Sequence, residues 1–268
     1  MKDNLKSFSE VKVSIIIPHY NNSRYLNDCL SSIAMQSHKN VEIIIIDDCS
    51  GIEEVKAANI IAKKYDCILN VNSENAGVAY TRNRGILSAT GDIITTIDPD
   101  DYFLGTDYLE CVVKSYLNSK SQVIGAKIVY VNEEKKILTR KSKTIISGWV
   151  KARLFSRSMY IPHNIFYTPA MFEKVGGYNP VFKAYEDWDF KIRLSNQFKF
   201  KIENIEVAYR IHEEGLSTLS RLSKINQMLK VFVNNFSLLS FKDGIVIFSL
   251  LIVSFPRKIK SISGLKKY

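Results

Sequence analysis

No apolar run in the sequence reaches the roughly 18 residues that a membrane-spanning helix requires. Met1 to Glu10 carries mixed charge without an apolar centre, so no signal peptide is expected there. Four scattered cysteines, Cys29, Cys49, Cys67 and Cys111, follow no metal-ligand spacing. They read as small buried hydrophobes in a reducing compartment, not as a disulfide framework. The fingerprint G-x-G-x-x-G is missing after the first strand, and a Walker-type lysine loop is missing altogether, which weighs against dinucleotide and P-loop binding. No Ser-His or Cys-His constellation is evident, so no covalent enzyme intermediate is called for. Internal repeats and low-complexity segments are also absent.

What is present fits one large domain, or a domain with an appendage: 268 residues, 46% hydrophobic and 24% charged. The formal charge of +10 invites a polyanion or an anionic membrane surface. The basic residues are spread rather than striped and form no recognisable nucleic-acid motif, so no nucleic-acid partner is expected.

Val13 to Ile17 and Val41 to Ile46 are β-branched runs suited to strands buried on both faces. Cys67 to Val71 and Asp92 to Ile97 read as two more strands. Helices are expected between them, from the amphipathic stretch Tyr25 to Ala34, from Glu53 to Tyr65 and from Ala76 to Ser88. The resulting β-α-β-α-β-α-β order predicts an α/β fold with a doubly wound, mostly parallel sheet. Ligands of such sheets bind at the carboxyl ends of the strands, where Tyr20, Asp48 and Asp98 to Asp101 fall.

The fourth strand ends in Asp98-Pro99-Asp100-Asp101, three carboxylates in four residues. Like charges at that spacing repel and call for a positive neighbour. Oxygen donors on a short turn suit a hard divalent ion, Mg²⁺ or Mn²⁺, that substrate phosphates also hold. A solvated acidic turn is the plainer alternative. Phosphate binding would otherwise fall to basic side chains such as Arg82 and Arg84.

Four segments, Val13 to Asn21, Ile45 to Ser50, Asn75 to Asn83 and Asp98 to Asp101, stand in an order and spacing that resembles the family 2 glycosyltransferases with the GT-A fold. The resemblance covers roughly 12–215. It implies that Pro18 and Tyr20 line a nucleobase pocket, and that Asp48 accepts from the base, which favours a UDP-sugar donor. Arg82 and Asn83 then approach the base and diphosphate, Asp98 the ribose and sugar. Asp100 becomes the metal ligand, supported by Asp98 and Asp101.

In the second half, Thr106 to Leu117 reads as a helix, Gln122 to Val131 as a strand, Asn132 to Ser147 as a solvated hairpin or loop, and Gly148 to Phe155 as a short helix with Trp149 facing inward. His163, beside Pro162, reads as structural more readily than functional. Gly176-Gly177 makes a bend ahead of Glu186 and Asp187, which open a helix running to Ser195. By resemblance this is the catalytic-base motif: Asp187 is the base, Glu186 assists or binds acceptor, and Asp189 is the fallback. Trp188 is assigned to packing. Phe198 to Arg210 reads as returning strands. His212 resembles a late family histidine that reaches the metal, although Glu213-Glu214-Gly215 replaces the usual spacing.

The expected organisation is a glycosyltransferase domain over 10–215, with a nucleotide-sugar half over 10–101 and an acceptor half over 102–215, and a helical tail over 216–268. Met228 to Phe241 is helical in pattern, and Gly244 to Phe255 is flanked by Arg257, Lys258, Lys260, Lys266 and Lys267. That pattern suits a helix in the interface of an anionic membrane, with packing on a partner chain as the alternative. The tail leaves a homodimer open. The expected activity is inverting, Mn²⁺- or Mg²⁺-dependent transfer of a hexosyl or N-acetylhexosaminyl group to a hydroxyl of a glycan or lipid-linked acceptor, in surface polysaccharide synthesis. The expected location is the cytoplasm, on the inner face of the membrane. Two alternatives are a membrane-associated, non-catalytic nucleotide-sugar or carbohydrate-binding module, which does not explain a metal cluster beside a separate base motif, and a sugar-nucleotide nucleotidyltransferase, which lacks its glycine-rich basic loop.

Overall fold

Alternation within the first strand sets the layers. In the computed structural model, which describes residues 6–119, 121–140, 147–157, 159–212 and 220–248, β1 (Val13–His19) is buried along its whole length. Val13, Ile15 and Ile17 enter one core cluster and Ile16 enters another, on the opposite face of the sheet. β2 (Val41–Asp47), β3 (Ile68–Val71) and β4 (Ile93–Thr96) complete a parallel sheet in the order β3-β2-β1-β4. This is the doubly wound arrangement expected from the run order.

α1 (Ser23–Ala34) buries Tyr25, Leu26, Cys29, Leu30 and Ile33, the predicted apolar stripe. α2 (Ile52–Lys64) packs beside it, and α3 (Val78–Leu87) crosses the other face. Gly85 permits that crossing, since a Cβ there would stand 2.5 Å from Ile16 Cγ2.

A second sheet, ordered β5-β8-β6-β7, holds β5 (Tyr102–Phe103), β6 (Gln122–Val131), β7 (Ile137–Arg140) and β8 (Lys199–Arg210). The central pair β6 and β8 is parallel and the outer pairs are antiparallel. Phe166 and Tyr167 join the sheets: the Ile124 amide donates to the Phe166 carbonyl at 2.9 Å, and the Ile94 amide to the Tyr167 carbonyl at 2.8 Å. Around them lie α4 (Tyr108–Asn118), α5 (Lys151–Phe155), α6 (Pro169–Val175) and α7 (Glu186–Gln197). The returning stretch is one strand, β8, not several, and the charge-rich stretch after β6 contributes β7.

Three expectations are corrected. Trp149 is 63% exposed, because its neighbour Val150 fills the core position instead. Cys49 is exposed, in the turn after β2 at φ +64°, whereas Cys29 is buried. The tail helix starts earlier than its pattern indicated: α8 runs Arg221–Asn235, capped by Ser220, whose hydroxyl accepts from the Ser223 amide. A further helical stretch covers 241–248. The remainder of the apolar run, with its basic flank, lies outside the described residues, as do Glu213, Glu214 and Gly215. Among the described residues no helix is long and apolar enough to cross a membrane.

Candidate active site

The carboxyl ends of β1, β2 and β4 form one rim, as parallel strands require. Pro18 is buried within β1, while Tyr20, just past it, is half exposed at the mouth. Asp48 is buried. Its carboxylate accepts from Asn72 Nδ2 at 2.7 Å and from the amides of Ala76 and Gly77 at 3.0 and 2.8 Å. It therefore shapes the loop that leads into α3.

Asp98, Asp100 and Asp101 sit in the turn after β4, and they are not equivalent. Asp101 is nearly inaccessible and accepts from the Arg210 amide at 3.1 Å. Burial, then Asp100 and Asp98, pushes its carboxyl well above the usual range. Asp100 is also raised, by burial and by Asp98. Asp98 goes the other way: burial opposes its charge, but His163 and Arg82 outweigh it. The open carboxylates are those of Asp98 and Asp100, with 30% and 20% of their side chains accessible.

Two donor groupings meet here. One atom each from Asp98, Asp101 and His163 lie within 4.8 Å of one another. Separately, His212 Nε2 lies 2.7 Å from Asp100 Oδ2. Burial pushes His163 below its ordinary range, with Asp98 opposing, and a deprotonated ring nitrogen is what a metal ion would require of it. Two or more carboxylate oxygens with one imidazole nitrogen fit Mn²⁺, and Mg²⁺ less well. His163 thus stands nearer the acidic turn than its sequence context indicated.

Arg82 ties this turn to the other half of the site. It is buried, and it donates through Nη2 to Asp98 Oδ1 at 2.8 Å and through Nη1 to Glu186 Oε1. Glu186 is buried on Arg82 rather than facing the opening. Burial raises its carboxyl, with Arg82 opposing. Asp187, next along α7, pairs with Lys191 Nζ at 2.6 Å through Oδ2. Burial opposes ionisation of Asp187, yet Lys191 prevails and the carboxyl is held down at about 2.

The bend before α7 is dictated by sequence. Gly176 and Gly177 take φ +76° and +67°, and a Cβ on Gly177 would stand 2.7 Å from Phe172 Cζ. Asn83 clamps the far side of the bend, donating to the Tyr178 carbonyl at 2.7 Å and accepting from the Tyr178 amide at 2.8 Å. The Asn83 side chain is thereby committed to the bend, which revises the expectation that it approaches a donor. Asp189, the fallback base, is fully buried, paired with Arg193 at 2.6 Å and bonded to Asn234 and Asn235 of α8. Its role is to anchor α8. Trp188 packs as expected, its indole donating to the Leu154 carbonyl at 2.8 Å. Arg84 is occupied with the Val71 carbonyl and Asn72, away from the acidic turn.

Two site residues escaped sequence reasoning. Arg210 is buried beneath the acidic turn, donating to the Asp100 and Glu133 carbonyls at 3.1 and 2.8 Å and to Asp28 at 2.8 Å. Its chain position carries no signal of this. Lys191 does carry one, since it lies four residues beyond Asp187 on a helix.

Residues 14–176 match the family described as Glycosyl transferase family 2. The uncharacterised glycosyltransferase YwdF of Bacillus subtilis is 27% identical over 209 residues, 76% of this chain and 76% of that protein. Glycosyltransferase GlyA of Streptococcus pneumoniae is 31% identical over 122 residues, 46% of this chain, and the match spans only 17% of GlyA. The crystal structure of S. aureus TarS 1-349 in complex with UDP-GlcNAc superposes with a TM-score of 0.69 at 18% identity, over 82% of this chain and 65% of that one. The likeness shows the fold, the GT-A arrangement expected from the sequence.

Proposed function

The chain belongs to glycosyl transferase family 2, and we propose that it moves a sugar from a UDP-sugar to a hydroxyl of a glycan or lipid-linked acceptor, with inversion at the anomeric carbon. One observation carries this reading: Arg82 holds the start of α7, with Asp187 on it, against the acidic turn through Asp98 and Glu186. The residue we assign as base and the turn we assign to the cation are thereby tied together through one arginine.

Tyr20, half exposed beside the buried Asp48, offers a ring face to a nucleobase. That TarS was solved with UDP-GlcNAc supports a uridine donor and makes an N-acetylhexosaminyl group the first candidate. Asp98, Asp100 and His212 are the residues assigned to the divalent ion. An ion shared with a donor diphosphate must sit where the carboxylates are open, and Asp98 and Asp100 are the open ones. When bound, such an ion neutralises charge on the leaving diphosphate as a Lewis acid.

Asp187 takes the proton of the acceptor hydroxyl as that oxygen bonds to the anomeric carbon. The bond to the diphosphate breaks, and its electron pair leaves with the diphosphate. A base so placed typically contributes 10²–10⁴-fold. Lys191 keeps Asp187 ionised by holding Oδ2, and no hydrogen bond within the described residues engages Oδ1. Glu186 anchors Arg82 and stays out of the chemistry.

A panel of nucleotide sugars with Mn²⁺ present tests the reading, scored by thermal stabilisation and by released nucleoside diphosphate. UDP-sugars should stabilise the protein most, and Asp187→Asn should keep that stabilisation while losing turnover. A panel without any uridine preference, or an Asp187→Asn variant with full turnover, contradicts it.

A further inference from the structure

The C-terminal helices dock on the domain by one face and leave the opposite face apolar and open. Val231 and Asn235 of α8 are fully buried, and Asn235 Nδ2 donates to Asp189 of α7 at 2.7 Å. Lys151 extends the anchorage, donating to the Leu238 carbonyl at 2.6 Å and pairing with Asp243 at 2.9 Å. A half-turn around α8 from Val231 stand Leu222, Leu229, Val233 and then Phe236, each between 57% and 80% exposed. Phe241 and Phe248 repeat the pattern on the next helix, at 86% and 66%. Large side chains at helical spacing, that open, are not accounted for by packing among the described residues.

The charge of the same region says what covers them. Residues 220–268 carry nine lysines and arginines against one acid, Asp243, so they hold +8 of the net +10. That one acid is paired with Lys151. Four of the nine, Arg221, Lys224, Lys230 and Lys242, lie among the described residues, and a second copy meeting this face would set that positive charge against its own. An anionic lipid surface attracts it and takes up the apolar side chains at its headgroup boundary.

We infer that the outer face of α8 and of the helix over 241–248 is a docking surface for anionic lipid. Because Asp189 joins α8 to α7, docking by this face holds the helix that carries Asp187 at a fixed attitude to the bilayer.

Vesicle co-sedimentation of the full chain tests this, using phosphatidylcholine vesicles with and without phosphatidylglycerol, at low and high salt. Binding should need phosphatidylglycerol and weaken as salt screens the attraction. A double variant, Leu229→Glu with Val233→Glu, should lose at least tenfold in partitioning. Ile60→Glu, an equally exposed site on α2, should lose none. Circular dichroism and sedimentation velocity accompany each variant. A double variant that keeps its fold and still binds vesicles overturns the proposal. So does a wild type that ignores phosphatidylglycerol, or one that sediments as a dimer which the double variant converts to monomer without change in vesicle binding.

Discussion

Lys191 reaches back one helical turn and pairs with Asp187 at 2.6 Å, while also donating to the Ile161 carbonyl at 2.8 Å. The pair sits at the positive end of α7, and both effects favour an ionised Asp187. Asp187 is held at about 2, below its ordinary 3.8, so the pair's contribution is complete above the ordinary value and fades as pH falls toward 2. Lys191→Met removes the opposing charge and leaves burial, which pushes the carboxyl up. The acid limb of the kcat/KM profile should move to higher pH, with the alkaline limb in place. A uniform loss at every pH would mark Lys191 as a packing residue only.

Arg82 is the tie between the two halves of the site, and its removal strands two carboxylates. Glu186 would remain buried without its partner, and Asp98 would face Asp100 and Asp101 with one cation fewer. Breaking a buried pair from one side costs about 3–5 kcal/mol. Arg82→Met should therefore lower the unfolding free energy by an amount of that order, read as a lower denaturant midpoint at unchanged slope. Arg82→Lys should recover little of it, because a single ammonium cannot take the place of two guanidinium nitrogens aimed at different carboxylates. Urea unfolding followed by circular dichroism gives both numbers.

The parallel sheet was legible because its strands are Ile- and Val-rich runs buried on both faces, and their carboxyl ends had to share a rim. The acidic turn and the Glu186-Asp187 pair were legible as separate signals, and their meeting was expected only through the family resemblance. The contact that makes it, between Arg82 and Glu186, was not legible. Arg82 and Glu186 stand 104 residues apart, and an arginine on a helix reads as solvated unless its partners are visible. His163 gave no periodic or spacing signal, and it comes to Asp98 only because Phe166 and Tyr167 join the two sheets. Trp149 was misjudged because hydrophobicity alone does not say which of two neighbours, Trp149 or Val150, faces in.

Asp98 belongs to the grouping with Asp101 and His163 and, in the proposed ion assignment, also stands with Asp100 and His212; single variants separate the two. Asp101 and His163 lie beneath the turn, with side chains 3% and 7% accessible, whereas Asp100 is open and reached by His212. Calorimetric titration with Mn²⁺ in the presence of UDP should show Asp100→Asn and His212→Ala each losing tenfold or more in affinity. His163→Ala should change that affinity less. The reverse order assigns the ion to Asp98, Asp101 and His163 instead.

The far ends of the same strands hold a second carboxylate whose charge matters for stability alone. Glu42, early in β2, accepts from Ser14 Oγ of β1, from Lys12 Nζ at 2.9 Å and from the Thr90 amide at 2.6 Å. It thus pins the starts of β1 and β2 to the loop that enters β4. Burial pushes its carboxyl up, but these donors outweigh burial and hold it at about 2, against an ordinary 4.5. The unfolded chain binds the proton more readily than the folded one. The stabilisation is therefore complete above about pH 4.5 and disappears as pH falls toward 2, on the order of 2–3 kcal/mol for a side chain only 13% accessible. Glu42→Gln should lower the urea midpoint at pH 7, and the gap from wild type should narrow to roughly a quarter in buffers near pH 2.5. Turnover per folded molecule should stay unchanged, because the substitution lies at the opposite end of the sheet from Asp98. A gap of equal size at both pH values would mean that the shape of the side chain, and not its charge, holds these strand ends together.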